Sequence, residues 1–203
     1  MSEPKLRPLI LASASPRRVE LMEEAGFSFK VIVPEVEEAH DEALRCEELT
    51  IENAKLKALA VAIQVPDAVV VAADTLVYLD QKPLGKPQDM AEAAVMLRRL
   101  SGRIHEVCTG VAIAVDGGQR IGCFHVISEV EFKPLTDELI AEYHRRIQPL
   151  DKAGAYAIQD ESAMIIERIN GSWSNVKGLP MERLCEELLA FTRAPSGQTP
   201  ATS

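Results

Sequence analysis

Ala68-Val-Val-Val-Ala-Ala73 is apolar at every position and is closed abruptly by Asp74-Thr75. A strand with no polar face must be covered on both sides, and this requires a sheet with helices packed against each face. The rest of the chain supplies those layers. Pro8-Leu-Ile-Leu-Ala12 reads as a second short buried strand. Ser15-Pro16 then has the grammar of a helix start, a hydroxyl N-cap followed by proline at the first helical position, with Gly26 as the stop. Val31–Val33 is a further strand candidate and leads into the acidic run Glu35–Glu42.

From Glu48 to Gln64, Ile51, Ala54, Ala58 and Ala62 recur at helical spacing, and Pro66 marks the end. Met90–Leu100 is a second such helix. Val107, Thr109, Val111, Ile113 and Val115 alternate with small residues, Asp116-Gly117 supplies a turn, and Phe124, Val126, Val130 and Phe132 continue beyond it as a long β-hairpin. A helix over 136–147, strands around 155–158 and 164–169, and a last helix over 180–191 complete the reading. The expected fold is α/β, a mixed twisted sheet flanked by helices with a long β-hairpin. Residues 1–192 are expected to form one domain of two interwoven lobes around a central cleft, and 193–203 a disordered tail.

The balance of charge narrows the function. With 22 Lys+Arg against 31 Asp+Glu the formal net charge is −9, and counterion release on a nucleic-acid polymer needs a clustered basic surface that such a chain lacks. Anions must be met locally. Cys46, Cys108, Cys123 and Cys185 form no C-x-x-C pair, no His completes a zinc spacing with them, and they read as reduced thiols. No segment approaches a membrane span, so a soluble cytoplasmic protein is expected.

Chemistry concentrates in a few places. Ser13-Ala-Ser15-Pro16-Arg17-Arg18 lies between a strand and a helix, where small residues expose backbone amides, the helix terminus attracts anions, and two guanidiniums can fork onto phosphate oxygens. The same letters fit a plain capped helix with solvated arginines; the position beyond a buried strand favours the ligand, because open α/β sheets bind ligands at the carboxyl ends of their strands. Asp74 closes an apolar run with no helix after it, since Leu76-Val-Tyr-Leu79 is strand-like, and this makes it a candidate metal ligand or general base. Glu37-Glu38 and the lysines Lys55, Lys57, Lys86 and Lys152 are the remaining candidates. Gly85-Lys86-Pro87 lacks the upstream glycine of a P-loop, and no G-x-G-x-x-G or G-x-S-x-G occurs. His40, His105, His125 and His144 show no ligand spacing and read as structural.

Taken in order, LILASASPRR, VPEVEE, NAKLKALAVA, VVAADTLVYLD, LGKPQD, LRRLSGRIHEVCTGVAI, PLDKAGAYAIQ and INGSWSNVKGLP resemble the Maf family of nucleoside triphosphate pyrophosphatases, which share a fold with the inosine triphosphate pyrophosphatases. The resemblance implies that Ser13, Arg17 and Arg18 line a phosphate site, that Glu38 and Asp74 supply carboxylates for metal and water, and that Lys57, Lys86 and Gln159 bind substrate. Asp74 stands as base, metal ligand or both. It implies hydrolysis of a nucleoside triphosphate to the monophosphate and pyrophosphate with a divalent cation, Mg²⁺ or Mn²⁺, as cofactor, and leaves room for a homodimer. The segments around Asp74 and Asp151–Gln159 are similar to the branch acting on dTTP and UTP, and Gln159 offers a donor and an acceptor that match the N3–H and a carbonyl of uracil or thymine. The alternatives are the 7-methyl-GTP branch and a nucleotide-binding regulator of septum formation. The rim segment 160–162 departs from the glycines frequent in the family, and Trp173 from its tyrosine.

Overall fold

Residues 7–40, 44–159 and 161–193 are described by a computed structural model. In chain order they form β1 (Leu9–Ala12), α1 (Pro16–Glu24), β2 (Lys30–Val31), α2 (Cys46–Ala62), β3 (Val69–Leu79), β4 (Lys82–Leu84), α3 (Met90–Leu100) and β5 (Ile104–Val115). There follow β6 (Arg120–Phe132), α4 (Asp137–Arg146), α5 (Ser162–Ile165), β7 (Ile166–Asn170), α6 (Trp173–Lys177) and α7 (Met181–Arg193). The sheet runs β2-β1-β3-β5-β6-β7, with β4 paired to β3. β1 is parallel to both β2 and β3; β3, β5, β6 and β7 are antiparallel in turn.

The apolar run lies in the interior of this sheet and is covered on both faces. Val69, Val71 and Ala73 pack with Leu21 and Met22 of α1 and Leu184, Leu188 and Phe191 of α7. Ala68, Val70 and Ala72 turn the other way, onto Ala54, Ala58 and Val61 of α2. On that second face alanine meets alanine. Each buried methylene contributes about 0.8 kcal/mol, so the gain from such small side chains is close approach of α2 to the sheet more than transfer energy.

Gly110 of β5 shows how close the approach is: a Cβ there would lie 2.4 Å from the carbonyl carbon of Thr50. No other residue type fits. A third core, with Val77 and Leu79 of β3, Leu97 and Leu100 of α3, Phe132 of β6 and Ile140 and Tyr143 of α4, occupies the far end of the same long strands. No helix among the described residues is long and apolar enough to cross a membrane.

Several expectations are corrected. The central strand does not stop at Asp74-Thr75; it continues to Leu79, with Asp74 opposite Gly110 and Thr75 opposite Thr109. Those backbone bonds are satisfied by β5 whatever the side chain, so a charged residue does not end the ladder. The strand expected at 155–158 is absent: a 3₁₀ turn over Ala153–Ala155 leads into a segment outside the sheet. Its residues Ala155–Ile158 are buried, and Tyr143 Oη holds the segment by accepting from the Ala157 N–H at 3.0 Å and donating to the Ala157 carbonyl at 3.2 Å. The strand expected at 164–169 splits into α5 and β7, and the one at 31–33 shrinks to Lys30–Val31. Helix α7 continues through Arg193, one residue into the expected tail; 194–203 and Asp160 of the rim lie outside the described residues, as do 41–42 of the acidic run and Ala43 after it.

Candidate active site

The loop Ser13–Ser15 joins the carboxyl end of β1 to α1. Ser15 occupies the N-cap, but its hydroxyl makes no capping bond. Ser13 Oγ instead accepts from the Ser15 N–H at 3.1 Å. Arg18 is buried, and its guanidinium braces three segments: Nε donates to the Gly178 carbonyl at 2.7 Å, Nη2 to Thr75 Oγ1 at 3.0 Å and Nη1 to Ser13 Oγ at 3.4 Å. Burial lowers its pKa while the nearby Asp74 raises it, and an arginine keeps its charge through such a change. Arg17 is different. It lines an open cleft of about 660 Å³ together with Ser13, Pro16, Glu20, Val33 and Gln159, and its nearest carboxylate, Asp151, stands 3.9 Å away. Of the two arginines, Arg17 is the one with free donors in the cleft, and Arg18 is mainly a buried positive charge beneath it.

Asp74 is 5% exposed. Oδ1 accepts from Lys57 Nζ at 2.7 Å and Oδ2 from Asn53 Nδ2 at 3.1 Å. Asn53 and Lys57 are four residues apart and therefore share one face of α2, and the contact at Gly110 sets that face over the rung of β3 that holds Asp74. Lys57 also pairs with Glu38 Oε1 at 2.8 Å. Asn53 fixes the acidic loop by donating to the Ala39 carbonyl at 3.2 Å and accepting from the Ala39 N–H at 2.7 Å. Glu38 and Asp74 thus converge on one ammonium, although 36 positions separate them in the chain.

These carboxylates lie outside the lining of the open cleft and are joined to it through Thr75, which accepts from Arg18. The remaining expected residues are placed unevenly. Gln159 is half-buried in the cleft and donates from Nε2 to a carboxylate oxygen of Glu20. Lys86 is exposed on the loop after β4, and among the described residues no hydrogen bond or ion pair joins it to the others. That loop touches the Asp151–Gln159 segment, since Gly154 N–H donates to the Gly85 carbonyl at 3.1 Å. Lys55 and Glu37 face solvent. Lys152 is buried and donates to the Gln148 carbonyl at 2.6 Å and to Asp151 at 2.7 Å.

Three residues of this constellation were not singled out in the sequence. Asn53 is the polar exception on a small-residue helix face, one turn before Lys57, and that spacing was the available signal. Thr75 and Lys177 carried none. Lys177 is 2% exposed, and its Nζ lies 3.0 Å from Glu20 Oε2 and 3.3 Å from Glu24 Oε1.

Among the described residues no group of three or more His, Cys, Asp or Glu side chains could by itself hold a metal ion. The pair Glu38 and Asp74 nonetheless fits a hard divalent cation, because Mg²⁺ is commonly held by one or two carboxylates together with substrate phosphates and water. The two carboxylates already share one positive charge, that of Lys57.

A doubly covered α/β sheet thus carries a cationic loop at a strand end, next to the buried Asp74 and the partly exposed Glu38, which share one lysine. The chain belongs to the Maf family: the family model described as Maf-like protein matches residues 8–191. It is 47% identical over 174 residues to the dTTP/UTP pyrophosphatase of Akkermansia muciniphila, covering 86% of this chain and 91% of that one. It is likewise 47% identical over 186 residues to the dTTP/UTP pyrophosphatase of Symbiobacterium thermophilum, covering 92% and 95%. The dTTP/UTP pyrophosphatase of Desulforamulus reducens is 43% identical over 187 residues, covering 92% and 97%.

Proposed function

We propose that this chain is a nucleoside triphosphate pyrophosphatase acting on dTTP and UTP, yielding the nucleoside monophosphate and pyrophosphate. The observation that carries this reading is the contiguity of opposite chemistries. Ser13, Arg17 and Arg18 bring positive charge and donors to the end of β1, and Arg18 reaches Thr75, the residue next to the carboxylate of Asp74. Carboxylates beside a triphosphate cleft make sense as handlers of water and metal. The names of the relatives at 43–47% identity support the same substrates.

In this reading Arg17, assisted by Lys86 from the loop after β4, meets the triphosphate oxygens, and the buried charge of Arg18 supports them from below. Glu38 and Asp74 would hold a divalent cation, Mg²⁺ or Mn²⁺, whose contribution is to offset phosphate charge and make bound water more acidic. Water adds to the α-phosphorus, the bond to the bridging oxygen breaks, and that oxygen leaves with the pyrophosphate. Asp74 receives the proton of the water on a carboxylate oxygen. Lys57 and Asn53 each take one lone pair of that carboxylate and fix its plane, leaving a further lone pair on each oxygen. Gln159 meets the edge of the base.

Pyrophosphate release by the purified protein with dTTP, UTP, CTP and 7-methyl-GTP tests the reading. Higher kcat/KM for dTTP and UTP is expected, since a site that hydrogen-bonds the base rejects a mismatched edge. Absence of turnover on all four would overturn the enzymatic reading, and a preference for 7-methyl-GTP would overturn the pyrimidine reading alone.

A further inference from the structure

Gln159 does not sit freely in the cleft. Its Nε2 donates to Glu20 on α1, and the same Glu20 oxygen lies 3.0 Å from Lys177 Nζ. Lys177 is buried at the end of α6, with Glu24 at 3.3 Å and the face of Trp173 5.2 Å from its ammonium. The three side chains make a chain of contacts, Lys177 to Glu20 to Gln159, that starts in the protein interior and ends in the cleft. Among the described residues nothing donates to Gln159 Oε1.

We infer that Glu20, anchored by Lys177, is a positioning residue that sets the orientation of the Gln159 amide and so selects the nucleobase. The inference rests on the reading that Gln159 meets the base. An ionised carboxylate can only accept, and the hydrogen bonds from Lys177 and Gln159 lower the pKa of Glu20, so it stays ionised near neutral pH. Gln159 must therefore turn its NH₂ toward Glu20, and the carbonyl Oε1 is left to face the ligand. A carbonyl pairs with the N3–H of uracil or thymine. Cytosine carries a lone pair at N3, and acceptor would meet acceptor. Without Glu20 the amide can flip by half a turn and suit either base.

The experiment compares kcat/KM for UTP and CTP in the wild-type enzyme and in the Glu20→Gln, Lys177→Met and Gln159→Ala variants. Glutamine at position 20 can donate as well as accept, so it no longer dictates the orientation of its neighbour. Glu20→Gln is expected to lower the UTP-to-CTP preference by about 10-fold, mainly through a higher KM for UTP, the scale of leaving one hydrogen-bonding group mispaired. Lys177→Met is expected to move the ratio in the same direction. Glu20 is half exposed, so the first variant reports on selectivity with the fold intact. If Glu20→Gln lowers activity on both nucleotides equally while Gln159→Ala collapses the ratio, Glu20 is only structural and the inference fails. If Gln159→Ala also leaves the ratio unmoved, the underlying reading of Gln159 fails instead.

Discussion

Replacing Asp74 by Asn separates the catalytic and structural demands on one buried side chain. Both carboxylate oxygens accept from groups that can only donate: Lys57 Nζ on Oδ1 and Asn53 Nδ2 on Oδ2. Asn53 cannot turn over to offer its carbonyl, because that oxygen accepts from the Ala39 N–H and its amide donates to the Ala39 carbonyl. An asparagine at 74 keeps one acceptor, and its NH₂ must face either the ammonium or the amide of Asn53. One charge-assisted hydrogen bond is lost, worth about 2 kcal/mol. At roughly 3 °C per kcal/mol for a chain of this size, Tm should fall by about 6 °C. Turnover should fall by roughly 10²-fold or more, the low end for a positioned acid/base group. Differential scanning calorimetry and a pyrophosphate-release assay measure the two effects on one preparation. An unchanged Tm would refute the argument that both oxygens are committed, and full turnover would remove Asp74 from the mechanism.

The two arginines should respond differently: Arg17→Ala is expected to weaken triphosphate binding with little change in Tm, whereas Arg18→Lys loses the forked bonds to Gly178, Ser13 and Thr75 and should cost about 2 kcal/mol of stability as well. Substrate titrations and thermal melts distinguish them. Lys86→Ala should raise KM for the triphosphate well beyond the effect of Lys133→Ala, since Lys133 is tied at the surface to the Ala163 carbonyl. Gly110→Ala should displace α2 from β5, costing about 1–3 kcal/mol and lowering kcat, because Asn53 and Lys57 ride on that helix. Burial holds the pKa of His105 down to about 4. An unfolded chain protonates this ring from roughly pH 6.5 downward, so the unfolded state binds more protons between these values and stability should decline as pH falls from about 6.5 to about 4. His105→Gln should flatten that stretch of the Tm-against-pH curve.

Much of this architecture was legible in the letters. A short uninterrupted run rich in valine favours an interior strand, and residues 69–73 fill both faces of β3 accordingly. The helix at Pro16 and the long hairpin β5–β6 likewise follow from local chemistry, in which proline, glycine and alternation act over a few residues. What composition and spacing misplaced was the end of that strand, which they set at Asp74 and which lies at Leu79. The backbone of a sheet pairs without regard to side chains, so β3 runs on through Asp74 because β5 lies alongside it.

The residues around that carboxylate mark the same boundary. Asp74, Glu38, Lys57 and Arg18 could be named from the sequence, Glu38 and Lys57 being chosen from among their neighbours with the help of a family resemblance. Their convergence could not be read, because it depends on how far α2 sinks onto β5 at Gly110 and on the clamp between Asn53 and Ala39. Lys177 looked like any lysine in a polar segment. Packing of α6 against α1 buries it beside Glu20 and Glu24, and only that long-range contact decides that Gln159 has a fixed neighbour. Local propensity acts within a turn or a strand, whereas a buried charge and its partner are chosen by the close packing of elements distant in the chain.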